Sequence, residues 1–336
     1  MPKVKNQVVT DRYAIYNDDC MNVITQLEDE SIDLSVYSPP FSSLYTYSSD
    51  ERDFSNVDSN EQFLEQYEFL IKELSRVTKK GRINAIHITD LCDVNGSLSD
   101  FPSDIIKLYK KHGFDYMNRI TVWKEPLKVK LKTMVKSLMH KFIMEDSTKC
   151  FTANPDYILV FKKRGENEIP VAHPFGINHY AGEIPILPNM LRAWNNANNT
   201  DFTADELWEH LNKINEDDKV TKLNHYIWQR YASSVWDDIR GGNLLPFHDA
   251  KEEDDEKHVT PTQLDVMDRL VELYSNPDEV VFTPFNGIGT ELFSAVSMGR
   301  KGIGVELKDS YFKQAKQNLA EAEKRYIKKH TQGSLF

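Results

Sequence analysis

The sequence predicts an α/β fold with a mostly parallel sheet, interrupted in its middle by an inserted region of different texture. Three observations predict it. Helix and strand patterns alternate as far as Trp123 with a further strand at Asp156 to Lys162, residues 165–225 hold no sustained period, and regular alternation resumes at Gln263. Two loops that each follow an apolar strand, at Ser38 and at Phe285, stand at opposite ends of the chain.

Tyr13 to Tyr16 is a short β-like run, and Asp18 and Asp19 precede a helical stretch with Met21, Ile24 and Leu27 on one face. Ile32 to Tyr37 (IDLSVY) is rich in apolar and β-branched residues and reads as a buried strand. It stops at Ser38-Pro39-Pro40-Phe41, because prolines cannot donate ladder hydrogen bonds. Asn60 to Lys79 has helical spacing through Phe63, Tyr67, Leu70, Ile71 and Leu74, with Gly81 as its terminator before a strand from Ile83 to Ile88. Ile105 to Gly113 and Arg119 to Trp123 repeat the helix-then-strand order, and Asp156 to Lys162 is a strand returning to the core. Residues 165–225 mix Pro, Gly, Asn and aromatics, with a short helix over Asp205 to Leu211. Gln263 to Tyr274 (helix), Val280 to Thr283 (strand), Gly287 to Gly299 (loop into helix), Gly302 to Leu307 (strand) and Ser310 to Tyr326 (helix) complete the pattern. Residues 1–122 and 256–330 are therefore expected to form one α/β unit, and 123–255 the inserted region.

A chain of 336 residues and 39.0 kDa can bury one large α/β core carrying a second region. No apolar run is long enough to span a bilayer and Met1 to Arg12 carries no secretory pattern, so a cytoplasmic protein is expected. Cys20, Cys92 and Cys150 are too widely spaced for a disulfide framework and read as reduced thiols. A net charge of -11 argues against a protein that coats nucleic acid indiscriminately. Much of the acid is concentrated in Lys251 to Lys257 (KEEDDEK), however, and Lys124, Lys128, Lys130, Lys132, Lys136 and Lys141 face a single acid, Glu125. That run is either a phosphate-facing surface or a solvated helix face. Trp123 and Trp236 read as packing residues.

Chemistry concentrates in the two loops. In Phe285-Asn286-Gly287-Ile288-Gly289 the glycines let backbone approach a ligand, and the following helix offers free N–H groups. Glu306 ends the next strand, where an acid grips ribose hydroxyls in doubly wound folds. A nicotinamide-dependent oxidoreductase would satisfy this much. Ser38-Pro39-Pro40-Phe41 adds something else, because the prolines fix the direction of the Ser38 side chain and the Pro39 carbonyl. Two rigid acceptors suit an exocyclic amino group, whose lone pair is delocalised until its protons are drawn off the ring plane. Phe41 supplies a face on which a flipped base can stack.

These segments resemble the DNA amino-methyltransferases of permuted motif order. Asp33 to Phe41 looks like their catalytic segment and Val281 to Glu306 like their cofactor segment, in the order of the β group. The resemblance continues through Asn17-Asp18-Asp19-Cys20, Gly81 to Asp90 and His258 to Leu264 (HVTPTQL). In the middle, Trp123-Lys124, His140-Lys141, Asp146-Ser147, Asp156 to Phe161 and Tyr231 to Arg240 (YASSVWDDIR) are similar to phage and prophage members. It implies a Rossmann-like S-adenosylmethionine-dependent methyltransferase with an inserted target-recognition region. The substrate implied is double-stranded DNA and the methyl donor S-adenosyl-L-methionine, in the cytoplasm of a bacterial or phage-infected cell. Catalysis would lie with Ser38, Pro39, Pro40 and Phe41. The cofactor would lie against Asp19, Thr262, Gln263, Thr283, Phe285, Gly287, Gly289, Thr290 and Glu306. Lys124, Lys128, Lys130, Lys132, Lys136, His140, Lys141, Arg230 and Arg240 would face DNA, with no metal. A homodimer and a cognate restriction enzyme are the implied partners.

Ser-Pro-Pro-Phe leans towards cytosine N4, with adenine N6 as the alternative. Carbon-5 methylation does not fit, since none of the three cysteines follows a proline. Two positions depart from the pattern, Thr283 in place of an acid and Asn286 in place of the commoner alanine. A DNA-binding module that has kept the fold without catalysis is the reading those departures would favour.

Overall fold

A computed structural model describes residues 4–40, 54, 57, 59–92, 97–133, 139–150, 152–183, 185–214, 222–247, 250 and 261–332. The chain begins with a hairpin of β1 (Asn6–Val9) and β2 (Tyr13–Asn17), passes through α1 (Cys20–Ile24) into β3 (Ile32–Tyr37), and crosses by α2 (Asn60–Val77) to β4 (Thr78–Thr89). A ribbon of β5 (Leu91–Cys92) and β6 (Leu98–Ser99) leads to α3 (Phe101–Lys111) and β7 (Phe114–Val122). Then come α4 (Pro126–Thr133), α5 (Lys141–Glu145) and β8 (Asp156–Lys163), followed by α6 (Pro188–Asn198), α7 (Ala204–Ile214), α8 (Lys222–Tyr231) and the short β9 (Val235–Trp236). Last are α9 (Leu264–Tyr274), β10 (Val280–Thr283), α10 (Thr290–Ser297), β11 (Lys301–Val305) and α11 (Asp309–Gln332).

Among the described residues, nine strands form one sheet in the order β1-β2-β11-β10-β3-β4-β8-β7-β9. The run β2-β11-β10-β3-β4 is parallel throughout. β8 runs antiparallel to both β4 and β7, and β1 antiparallel to β2. The central strand β3 is buried along its whole length, as expected of a parallel strand covered on both faces. Its one acid, Asp33, is satisfied: Oδ1 accepts from Lys79 Nζ at 2.6 Å and Oδ2 from the Val280 N–H at 2.9 Å. That carboxylate ties the central strand to its neighbours on both sides.

Apolar side chains gather in three cores. One joins Leu34, Val36 and Val281 to Leu270, Leu292, Phe312 and Leu319. A second joins Tyr37, Ile86 and Phe161 to Phe63, Leu70, Phe101 and Tyr109. The third is a satellite built from Ile186, Met190, Leu207, Leu211, Leu223 and Ile227. Sequence pattern shows little regularity over 165–225, but the structure forms α6 and α8 there beside the expected α7. Met190 is the only buried residue of α6, so its apolar face is too narrow to show as a period.

Gly81 is not a helix terminator. α2 ends at Val77 and passes straight into β4, whose register against β3 jumps from Ile32↔Thr78 to Leu34↔Ile83. Gly81 lies in that bulge with φ +71°, and a Cβ there would meet Asn167 N at 2.6 Å, so glycine is required by a close backbone passage.

A buried charge cluster fastens the satellite region to the sheet. Arg269, fully buried on α9, donates to Asp238 Oδ2 and to the Ala181 carbonyl, each at 2.7 Å. Its guanidinium lies 4.8 to 5.5 Å from the ring centroids of Tyr231, Trp236 and Tyr180. Trp236 is fully buried here as a packing residue, whereas Trp123 is 48% exposed. No helix among the described residues is long and apolar enough to cross a membrane.

Candidate active site

Pairing of β3 with β10 brings the two loops together. Leu34 lies opposite Val281 and Ser35 opposite Phe282, so the chain leaves both strands on the same edge of the sheet. From there β3 connects outward to β4 and β10 outward to β11, which makes the gap between them a topological switch point. The loops touch: the Phe285 ring packs against Tyr37 with centroids 5.8 Å apart and against Phe54 at 5.6 Å.

In the glycine loop, Gly287 and Gly289 take φ of +51° and +89°, which other residues rarely adopt. Among the described residues a Cβ on Gly287 would meet nothing within 4 Å, which leaves this side of the loop open to a ligand as far as those residues go. Glu306 faces the loop. Its Oε2 accepts from the Gly287 N–H at 2.7 Å and its Oε1 from the Lys308 N–H at 2.8 Å, which fixes the carboxylate. Among the described residues Thr283 Oγ1, Ser294 Oγ and both amide atoms of Asn286 are buried without a hydrogen-bond partner, and so is Gln263 Oε1 at the start of α9. Open glycine backbone, a fixed carboxylate and unsatisfied buried polar atoms together fit a polar nucleoside cofactor.

Two positions in this loop differ from expectation in an informative way. The Asn286 side chain is tucked against β11, where a Cβ on Gly304 would stand 2.7 Å from its Oδ1, so glycine at 304 makes room for the larger residue. Thr283 brings no charge, yet an acid that the sequence reading passed over, Glu291, is buried in the first turn of α10 beside the equally buried Thr290. Burial, with the Glu306 charge adding, pushes its carboxyl up to about 8. A raised carboxyl stabilises the fold most below its unfolded value near 4.5, and that contribution is lost as pH rises through about 8. Glu291→Gln is therefore expected to unfold at higher urea than the parent above pH 8, with little difference near pH 4.5; parallel curves at the two pH values would contradict it.

The Ser-Pro-Pro loop is bonded to β4, and β4 in turn to β8. Ser38 Oγ lies 2.9 Å from His87 Nδ1. His87 Nε2 lies 3.1 Å from Asp156 Oδ2, and Asp156 Oδ1 accepts from Lys124 Nζ at 2.5 Å. Burial alone would push the Asp156 carboxyl up, but His87 and Lys124 outweigh it and hold it down at about 2. Beneath the loop, the Tyr37 hydroxyl bonds those of Tyr67 at 2.6 Å and Tyr109 at 2.5 Å. Sequence reasoning gave His87 and Asp156 no role. The signal was a lone imidazole in the apolar run INAIHIT and an acid opening the strand DYILVF.

The remaining expected site residues separate into three groups. Phe41, Lys136 and the side chain of Lys132 lie outside the described residues. Asp19 is the N-cap of α1, its Oδ1 accepting from the Met21 N–H at 2.9 Å, and Thr262 is half-buried just before α9. Lys128, His140 and Lys141 are exposed and Lys130 half-buried, near exposed Leu127, Leu131, Ile143 and Met144.

Three cations expected to face DNA are each paired with an acid here, and of the three Arg230 is buried. Lys124 is committed to Asp156. Arg230 is 5% exposed and held by Asp237 and Asp238, at 2.7 and 3.1 Å, so no duplex can reach it. Arg240 grips the fully buried Asp265 with Nη2 at 2.5 Å and Nε at 3.0 Å, an attachment that removing the arginine would leave uncompensated.

The DNA methylase family, as N6_N4_Mtase, matches residues 32–317 of the chain. The Type II methyltransferase M1.MboII of Moraxella bovis is 24% identical over 302 residues, covering 90% of this chain and 94% of that one. Among solved structures, TTHA0409 of Thermus thermophilus complexed with S-adenosyl-L-methionine has a TM-score of 0.57 at 20% identity, covering 93% of this chain and 96% of its own. The cytosine-N4-specific PvuII DNA methyltransferase has a TM-score of 0.57 at 13% identity, over 95% and 93%. Both structures share this fold.

Proposed function

The chain belongs to the DNA methylase family and is an S-adenosylmethionine-dependent DNA amino-methyltransferase; from that premise we propose that its target atom is cytosine N4. The observation that carries this is Ser38 in the Ser-Pro-Pro loop, a neutral hydroxyl beside the cofactor loop where an acid would favour adenine. The order of the loops, catalytic first and glycine-rich second, agrees with a β-group member.

Phe285, Gly287, Gly289, Thr290 and Glu306 would hold the cofactor, with Thr262, Gln263 and Asp19 around it. It supplies a methyl group on a sulfonium sulfur. Everything else is asked of the protein: the Ser38 side chain and the Pro39 carbonyl draw on the amino protons and aim the nitrogen lone pair. Residues 123–255 would form the target-recognition region. Lys128, Lys130, His140 and Lys141 would contact phosphates, with the neighbouring apolar side chains against the grooves.

Transfer of labelled methyl from S-adenosylmethionine to unmodified duplex DNA, followed by nucleoside analysis, tests this reading. Label on N4-methylcytosine is the expected product. Label confined to N6-methyladenine would replace the cytosine assignment, and absence of transfer with the cofactor bound would overturn the reading altogether.

A further inference from the structure

A methylated amino nitrogen carries one proton too many. It gains a carbon while the electron pair of the broken carbon–sulfur bond stays on sulfur, and one N–H proton must then leave. The Pro39 carbonyl can accept a hydrogen bond but cannot keep a proton, and neither can a serine hydroxyl unless it hands its own proton on.

Behind Ser38 the structure holds an acceptor. His87 is 8% exposed and Asp156 7%, so the line from Ser38 into β4 and β8 is closed to bulk water. We propose that Ser38, His87 and Asp156 form a proton-transfer chain, with His87 a positioning and proton-accepting residue that acts through Ser38. Ser38 Oγ takes the proton leaving the amino nitrogen while its own hydroxyl proton passes across 2.9 Å to His87 Nδ1. The imidazolium so formed faces Asp156 Oδ2 at 3.1 Å. The step balances: the nitrogen loses one proton, the serine gains one and gives one up, and the imidazole gains one, so the positive charge that began on the sulfonium ends on the imidazolium.

Lys124 explains why the carboxylate is available. By occupying Oδ1 it sets the plane of Asp156 and leaves Oδ2 for the imidazole. With Ser38 donating to Nδ1 the ring proton sits on Nε2, 3.1 Å from Asp156 Oδ2 although not aligned as a hydrogen bond at rest. The charged groups that face His87 among the described residues are Asp156 on β8 and, behind it, Lys124 after β7. A His87 that already carries both ring protons has no acceptor left for the Ser38 proton, so transfer should fall on the acid side of the rate profile.

This inference rests on the methyltransferase reading of the same loop. Its test is the single-turnover rate of methyl transfer against pH for the full chain and for His87→Gln, with S-adenosylmethionine affinity measured by calorimetry. Imidazole nitrogen resonances of the ligand-free protein are read alongside. His87→Gln is expected to lose about 100-fold in rate together with the acid limb, with cofactor affinity changed by less than about twofold. The resonances should show Nε2 carrying the proton, and Ser38→Ala should shift Nδ1. A His87→Gln rate equal to wild type, or an unchanged acid limb, overturns the chain. Should that variant fail to fold, Asp156→Asn takes its place, and wild-type rate and pH dependence there would be equally fatal. Wild-type protein that binds the cofactor and transfers nothing removes the underlying reading, and the relay with it; transfer that persists without His87 removes the relay alone.

Discussion

Ser38→Ala is expected to slow methyl transfer by a factor on the order of 100 to 1,000 while leaving S-adenosylmethionine affinity nearly unchanged, the range seen when one fixed polar contact to a reacting group is removed. The separation of the two effects follows from where the residues sit. Ser38 leaves β3 and is bonded to His87, whereas the cofactor loop leaves β10 and is bonded to Glu306. The loops touch through Phe285 and Tyr37, not through the serine hydroxyl. Single-turnover rates and calorimetric cofactor affinity make the comparison, and equal loss in both would show that Ser38 shapes the cofactor seat. Because Ser38 and His87 are proposed to act in series, the double variant should lose little more than Ser38→Ala alone.

The largest effect on stability is expected from Arg269→Leu, roughly 3 kcal/mol or more in urea unfolding at pH 7, the scale for breaking a buried ion pair from one side. Arg269 and Asp238 are exposed by 0% and 1%. Without the guanidinium, Asp238 keeps Arg230 and Tyr180, which places the loss near the lower end of that scale. The Ala181 carbonyl loses its donor, and three aromatic rings lose the cation between them. A loss below about 1 kcal/mol would mean that the neighbouring arginine takes over, since removing one of several partners can cost little. The cluster also joins the satellite helices to α9, so DNA binding should weaken in the same variant even where the α/β core remains folded.

How far these features could be read beforehand depended on how local they are. β3 and β10 were legible because strands buried on both faces are continuous apolar runs, and Pro39, Pro40, Gly287 and Gly289 mark their ends unmistakably. The Ser38–His87–Asp156 line was not, because it depends on the register of β3 with β4 and of β4 with β8, which no local pattern encodes. The acids that pair with Lys124, Arg230 and Arg240 were hidden for a related reason. Sequence shows a cation but not the buried acid that claims it, and here Asp156, Asp238 and Asp265 arrive from other elements. Gly81 was misplaced because a glycine demanded by a distant segment looks the same as one that ends a helix.

The neighbourhood of β3 and β10 also sets the order in which the molecule comes into being. The catalytic loop leaves the ribosome early, but the strand that lines its other side comes almost at the end, and until then β3 has no neighbour on that edge. A nascent chain therefore carries Ser-Pro-Pro with no cofactor seat beside it, and an open strand edge that invites mispairing. A product that stops before β10 therefore has no seat for the methyl donor beside Ser38 and should be inert towards the genome.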